Sequence, residues 1–386
     1  MIKSLRAKRI LDSRGKPTVE AILKTDKGVF KSSCPSGAST GKNEAFVVET
    51  KKALENISKI IGPAVRGLDE KKQEELDELL IELDGTENKR KLGANAILPV
   101  SIAVLRAGSG SENLPLFSYI SKIYRGRVLV SMPRPCFNII NGGAHAKNSI
   151  DIQEFMVIPS YESFSKNLKA ARKIFKKLGK KLDKKFKAVS LGDEGGFSCN
   201  LSSAEEALDF VIQSAGDLNF EIGLDVAASQ FSKDQKNRYN VEYFKELVSK
   251  YPIIFLEDPF GEEDKESFRK ITEELGSRVR IIGDDFLTTN IERIKSSKKD
   301  CNGAIIKPNQ IGTVTETLRA LRMAKSFVWK TIVSHRSGET MDDFIADLAA
   351  GTGSDFIKSG APSKKERMVK YKRLLRIEKY CKSHRL

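Results

Sequence analysis

From about residue 126 onward the chain repeats one pattern: a short apolar run rich in Val and Ile, a polar cluster closing it, then a helical stretch. The runs are FMVIP, AVSLGDEGG, EIGLDVAAS, IIFLEDP, RIIGDD, AIIKPNQIG, TIVSHRSGE and DFIKSGAP. Their polar residues are Glu154, Glu194, Asp225, Glu257, Asp284, Lys307, His335 and Lys358, at successive spacings of 40, 31, 32, 27, 23, 28 and 23 residues. A strand, a helix and two turns need about that length, and strands that alternate with helices pair in parallel. Eight such units predict a (β/α)8 barrel, in which the carboxyl ends of the strands share one mouth. The first run fits this register poorly, because Glu154 precedes its apolar segment.

Residues 1–125 have a different texture. Short alternating segments at 18–23 and 29–33 are broken by turn residues, and helical periodicity follows at 69–83 and 94–107. The expectation is an α+β domain over 1–125 that caps a barrel domain over 126–386.

Phe164, Leu168, Ala171, Phe175, Leu178, Leu182 and Phe186 recur at spacings of 3 or 4, which predicts an amphipathic helix. Composition makes it notable. The 386 residues carry 67 Lys and Arg against 51 Asp and Glu, a net charge of +16. Residues 169–187 hold ten basic side chains and one acid, Asp183; without them the balance is 57 minus 50, or +7. Such a run reads first as a solvated face. Nucleic-acid binding through 169–187 is the alternative, without the interleaved aromatics that RNA-binding surfaces use. With 40% hydrophobic and 31% charged residues the chain can bury a core. No apolar run approaches the ~20 residues of a membrane span, and MIKSLRAKRILDSRG lacks the apolar stretch of a secretory signal. Five cysteines without a CxxC motif read as reduced thiols of a cytoplasmic protein.

The chemistry lies at the ends of the runs. Asp225, Glu257 and Asp284 close three successive units, and carboxylates converging in a partly buried mouth repel one another unless a cation neutralises them. Oxygen-only ligation suits Mg2+ better than zinc. Lys307 interrupts an apolar strand, as a positioned base would. Glu194, before Gly195-Gly196, forms with Glu154 a second carboxylate pair suited to proton delivery. His145 in NGGAHA and His335 in SHRSGET lie in small-residue loops, which favours ligand contact; His384 in the basic tail reads as inert. Arg336 and Ser337 offer a planar fork and a hydroxyl to a phosphate. The loop PSGASTG is neither GxGxxG nor a Walker sequence and reads as a lid over an anion and metal. These parts fit removal of a proton α to a carboxylate, followed by loss of a hydroxyl from the next carbon.

Nearly the whole chain resembles the enolase (phosphopyruvate hydratase) family. The matching segments include LDSRGKPTVE, PSGASTGKNEA, NIINGGAHAKNSIDIQEFMVIP, GDEGGF, GLDVAAS, LEDPF, KPNQIGT, SHRSGETMDDFIADL and IKSGAPSKKERMVKYKRLLRIE. The resemblance implies a ββαα(βα)6 barrel behind an α+β capping domain, which would account for the register at Glu154. It implies Mg2+ on Asp225, Glu257 and Asp284, and a second Mg2+ recruited with substrate through Ser39. Lys307 would remove the C2 proton of 2-phosphoglycerate, giving a metal-stabilised aci-carboxylate, and Glu194 with Glu154 would assist loss of the C3 hydroxyl. Arg336 and Ser337 would hold phosphate, Lys358 the carboxylate, and His145 would reach substrate from its loop; His335 lies beside the clamp. A homodimer or octamer acting in glycolysis and gluconeogenesis is also implied. Pro308 after the lysine resembles archaeal-type members, Gln230 stands where an acid is usual, and the chain is short before 125 and between Asp225 and Glu257.

Overall fold

The computed structural model describes residues 1–37, 41–143 and 150–384. The amino-terminal sheet is antiparallel, in the order β1 (Ile2–Leu11), β2 (Pro17–Thr25), β3 (Gly28–Ser33). The alternating segments at 18–23 and 29–33 are its second and third strands. The first was not legible, because only Ile2 and Leu5 are buried in a strand otherwise dressed with Lys and Arg. The helix Ala94–Ser111 joins this sheet to the rest of the molecule. Ile97, Val100 and Val104 face the amino-terminal core, while Leu98, Ile102 and Leu105 enter the main core. Two apolar stripes on one helix explain why nearly all of it is buried.

Among the described residues ten further strands follow: β4 (Arg134–Asn141), β5 (Glu154–Pro159), β6 (Ser190–Leu191), β7 (Phe197–Ser198), β8 (Phe220–Asp225), β9 (Ile253–Glu257), β10 (Arg280–Gly283), β11 (Gly303–Ile306), β12 (Lys330–Ser334) and β13 (Phe356–Lys358). The ring runs β4, β5, β8, β9, β10, β11, β12, β13 and closes where β13 pairs with β4. Every pair in it is parallel except those of β5, which is antiparallel to both β4 and β8. This reversal settles the register of the first run. Glu154 opens a strand that runs backwards, so it faces Asp225 on β8 and Asn141 on β4 at the same end of the barrel as the other strand termini.

One expected barrel strand is replaced. AVSLGDEGG forms the small β6–β7 hairpin, which joins the sheet only at the edge of β4. The eighth strand of the ring is β4 itself, buried along almost its whole length. A hairpin of two barrel strands needs no crossover helix, so β4 escaped a search for strand–helix units.

Inside the ring, Cys136, Met156, Ile158, Phe255, Ile282, Ile305, Ile332 and Phe356 pack as one plug. Gly223 makes room for it: a Cβ there would lie 2.1 Å from the Phe255 ring. The basic helix spans Phe164–Lys185, capped by the Ser163 hydroxyl, which accepts from the Lys166 amide. It buries Phe164, Leu168, Ala171, Ile174, Leu178 and Leu182 and turns its lysines to solvent. Among the described residues no helix is long and apolar enough to cross a membrane.

Candidate active site

The carboxyl ends of the parallel strands deliver the polar residues to one cavity, lined by Glu154, Glu194, Asp225, Asp284, Lys307, His335, Arg336, Ser337 and Lys358 together with Gln153, Gln230, Asp258 and Asp285. It is a narrow, polar cavity.

Two lysines neutralise the carboxylates. Lys358 Nζ donates to both Glu257 oxygens at 2.9 and 2.8 Å and to Asp225 at 3.0 Å, and lies 3.2 Å from Glu154. All four side chains are at most 5% exposed. Lys307 pairs with Asp284, whose other oxygen accepts from Gln310 Nε2 at 2.9 Å. Burial and neighbouring acids raise Glu154 and Glu257 well above the ordinary carboxylate range despite Lys358. Asp284 goes the other way: although burial opposes it, Lys307 and Lys358 hold its carboxyl down. Lys307 is raised in turn, since the Asp284 charge outweighs its burial. In this state Lys307 is an ammonium.

Asp258 builds the turn that presents Asp284. Its carboxylate accepts from the Asp284 and Asp285 amides, both at 2.8 Å. Asp258 itself has φ of 42°, a left-handed conformation that costs a non-glycine residue about 1 kcal/mol or more. Burial and the adjacent Asp284 push Asp285 up to about 7. Both aspartates sit in motifs visible in the sequence, EDP and GDD, but a side chain holding backbone cannot be told there from a ligand.

A second polar chain runs through the β6–β7 turn. Glu194 accepts from Asn138 Nδ2 at 2.9 Å and lies 3.2 Å from His335 Nε2. His335 Nδ1 meets the Arg367 guanidinium. Since guanidinium only donates, Nδ1 accepts, and the ring proton is on Nε2, the nitrogen nearer Glu194. Burial lowers His335 to about 4, so the ring is neutral near pH 7. Arg367 also donates to the backbone oxygens of Arg336 and Ser337, each at 2.6 Å, fixing the SHRS segment from behind. Arg367 is fully buried, yet within KKERMVKYKRLLR it reads as a surface charge. Arg336 reaches across to the amino-terminal domain, donating to both Glu44 oxygens at 2.8 and 3.1 Å and to Asn309 Oδ1 at 3.3 Å. Ser39 and His145 lie outside the described residues.

Asp225, Glu257 and Asp284 offer only carboxylate oxygen from three adjacent strand ends, and two ammonium groups already balance them. That donor set fits a hard divalent cation. The three are not yet gathered: among the described residues, the group whose donor atoms lie within 4.8 Å of one another is Glu154, Glu194 and His335.

Comparison with known proteins assigns this architecture. Residues 2–120 match the family model for the enolase N-terminal domain, and residues 129–243 and 240–384 match that for the enolase C-terminal TIM barrel domain. The chain belongs to the enolase family. It is 42% identical over 418 aligned positions to enolase B of Dictyostelium discoideum, covering 98% of this chain and 94% of the relative. Enolase of Mastigamoeba balamuthi is 43% identical, with 98% and 95% covered, and enolase 1 of Entamoeba histolytica 41%, with the same coverage. The alignments exceed the 386 residues of the chain, so these enolases carry segments that it lacks.

Proposed function

We propose that this enolase-family chain catalyses the reversible, Mg2+-dependent dehydration of 2-phosphoglycerate to phosphoenolpyruvate, in glycolysis and gluconeogenesis. The observation that carries the reading is the ring of strand ends: Asp225, Glu257 and Asp284 on consecutive strands, with Lys307 against the last and Arg336 in the same cavity.

Asp225, Glu257 and Asp284 would hold one Mg2+, and Ser39 with the substrate phosphate a second. A metal held there would supply positive charge for the substrate carboxylate and would compensate Asp284, relieving the field that keeps Lys307 protonated. Lys307, its own proton released to water, then takes the C2 proton as a neutral amine, leaving the electron pair on the carbon and its carboxylate as an aci-carboxylate. Lys358 lies close enough to the trio to stabilise that added charge, and Arg336 and Ser337 retain the phosphate. Glu194, oriented by His335 and Asn138 and flanked by Glu154, gives a proton to the C3 hydroxyl, which departs as water while the C2 electron pair forms the double bond. His145 joins from its loop. The raised carboxyl of Glu154 suits this side of the site, because an acid must still hold its proton near neutral pH.

Residues 1–125 act as a cap on the barrel of 126–386, and the protein works in the cytoplasm as a homodimer or octamer. No observation favours nucleic-acid binding by the basic helix, whose lysines form an ordinary solvated face.

The test is the ultraviolet absorbance of the conjugated product after 2-phosphoglycerate is added, with Mg2+ and then with excess EDTA. A rise that EDTA stops is expected. Lys307→Ala should lower kcat by about 10²–10⁴-fold with the fold intact; near-normal turnover in that variant would overturn the assignment.

A further inference from the structure

The guanidinium assigned to substrate phosphate is already occupied by a carboxylate of the chain itself. Glu44 meets both terminal nitrogens of Arg336 at 2.8 and 3.1 Å, and the two side chains are only 6% and 5% exposed. Backbone groups hold both its carboxylate and its main chain. The Gly41 amide donates to Glu44 Oε1 at 3.1 Å, the Glu44 amide to the Gly41 carbonyl at 3.1 Å, and the Ala45 amide to the Gln310 carbonyl at 2.8 Å. A carboxylate tethered in this way competes at a high effective concentration.

We infer that Glu44 is an internal competitor for Arg336 that raises the anion affinity needed to open the clamp, so that a phosphate dianion displaces it and a simple carboxylate does not. The inference rests on the reading of Arg336 as the phosphate contact. A free carboxylate offers Arg336 the two oxygens and single charge that Glu44 already supplies, so exchange gains nothing and adds the cost of immobilising a free ligand. A phosphate dianion brings a second charge and a third oxygen, so it can displace Glu44 and still find further donors such as Ser337. The clamp is thereby shielded from the many small carboxylates that resemble the other end of the substrate.

Full-length protein is titrated calorimetrically at pH 8 with inorganic phosphate and, separately, with acetate, in wild type, Glu44→Gln, Glu44→Asp and Arg336→Met. Removing a charged bidentate partner should raise phosphate affinity by about 10- to 100-fold in Glu44→Gln. Acetate affinity should rise by a similar factor, because an internal competitor weakens every anion alike, so acetate binding becomes measurable where wild type shows little. Glu44→Asp, charged but too short for both nitrogens, should fall between Gln and wild type, and it carries the test alone if the Gln variant does not fold. Phosphate affinity unchanged or weakened in both Glu44 variants, while Arg336→Met loses phosphate, overturns the role of Glu44 and leaves the clamp standing. Phosphate binding indifferent to Arg336→Met overturns the clamp and this inference with it.

Discussion

Lys358→Met removes an ammonium that three buried carboxylates share. Its Nζ lies 2.8 and 2.9 Å from the Glu257 oxygens, 3.0 Å from Asp225 and 3.2 Å from Glu154. At ~3 Å and an effective dielectric of ~20, each such pair is worth about 5 kcal/mol before other terms. Burial of the lysine and repulsion among the acids offset most of it. Deleting the cation and leaving the acids should therefore cost about 3–5 kcal/mol. Protonation limits the damage, since Glu154 and Glu257 are raised well above the ordinary carboxylate range. The folded chain then holds protons that the unfolded chain releases. That contribution is fully present below the unfolded carboxylate pKa of about 4.3 and is lost as pH rises through the folded values. Urea unfolding of the variant in EDTA should accordingly show a larger loss at pH 8.5 than at pH 5.5. Mg2+ should stabilise the variant more than wild type, because it replaces the missing charge. A variant as stable as wild type at pH 8.5 without metal would refute the argument that the trio needs a positive partner.

Other outcomes follow from the same geometry. His335, lowered to about 4 by burial, should show no imidazole titration between pH 6 and 8 by NMR, with a midpoint near 6.5 ruling out its buried neutral state. Because its folded pKa is depressed, its contribution to stability is present above about 6.5 and falls by about 3 kcal/mol as pH drops through 4, measurable against His335→Gln. Gly223→Ala should destabilise by about 1–3 kcal/mol in urea, since its Cβ would press on the Phe255 ring. Phe255→Leu in the same chain should recover part of that loss, and additive losses would show that the two positions do not collide.

The barrel was legible because its period is long and its strands end in chemistry. From β8 to β13 each apolar run is a strand, and Asp225, Glu257, Asp284, Lys307, His335 and Lys358 fall at or just past its carboxyl end. Where the unit was not strand–helix, the pattern misled. AVSLGDEGG has the look of a buried strand, yet Glu194 stands in a two-stranded turn at the edge of β4. Glu44 and Arg367 left no mark at all. One follows a Gly/Ser/Thr loop and the other sits in a lysine-rich helix, where charged residues normally mean solvent.

By itself the sequence determined the kind of fold, the family, and the residue types gathered at the mouth, because period, strand ends and motif spacing are local properties of the chain. Only the tertiary structure decided which charges are paired. That Lys358 rather than Lys307 bridges Asp225 and Glu257, that His335 sits beside Glu194, and that Glu44 fills the Arg336 fork are contacts between residues 101 to 292 positions apart. Their partners are set by how the ring closes and how the first domain sits on it. An ion pair needs two groups brought together out of water, and neither group's own neighbourhood in the chain records the other.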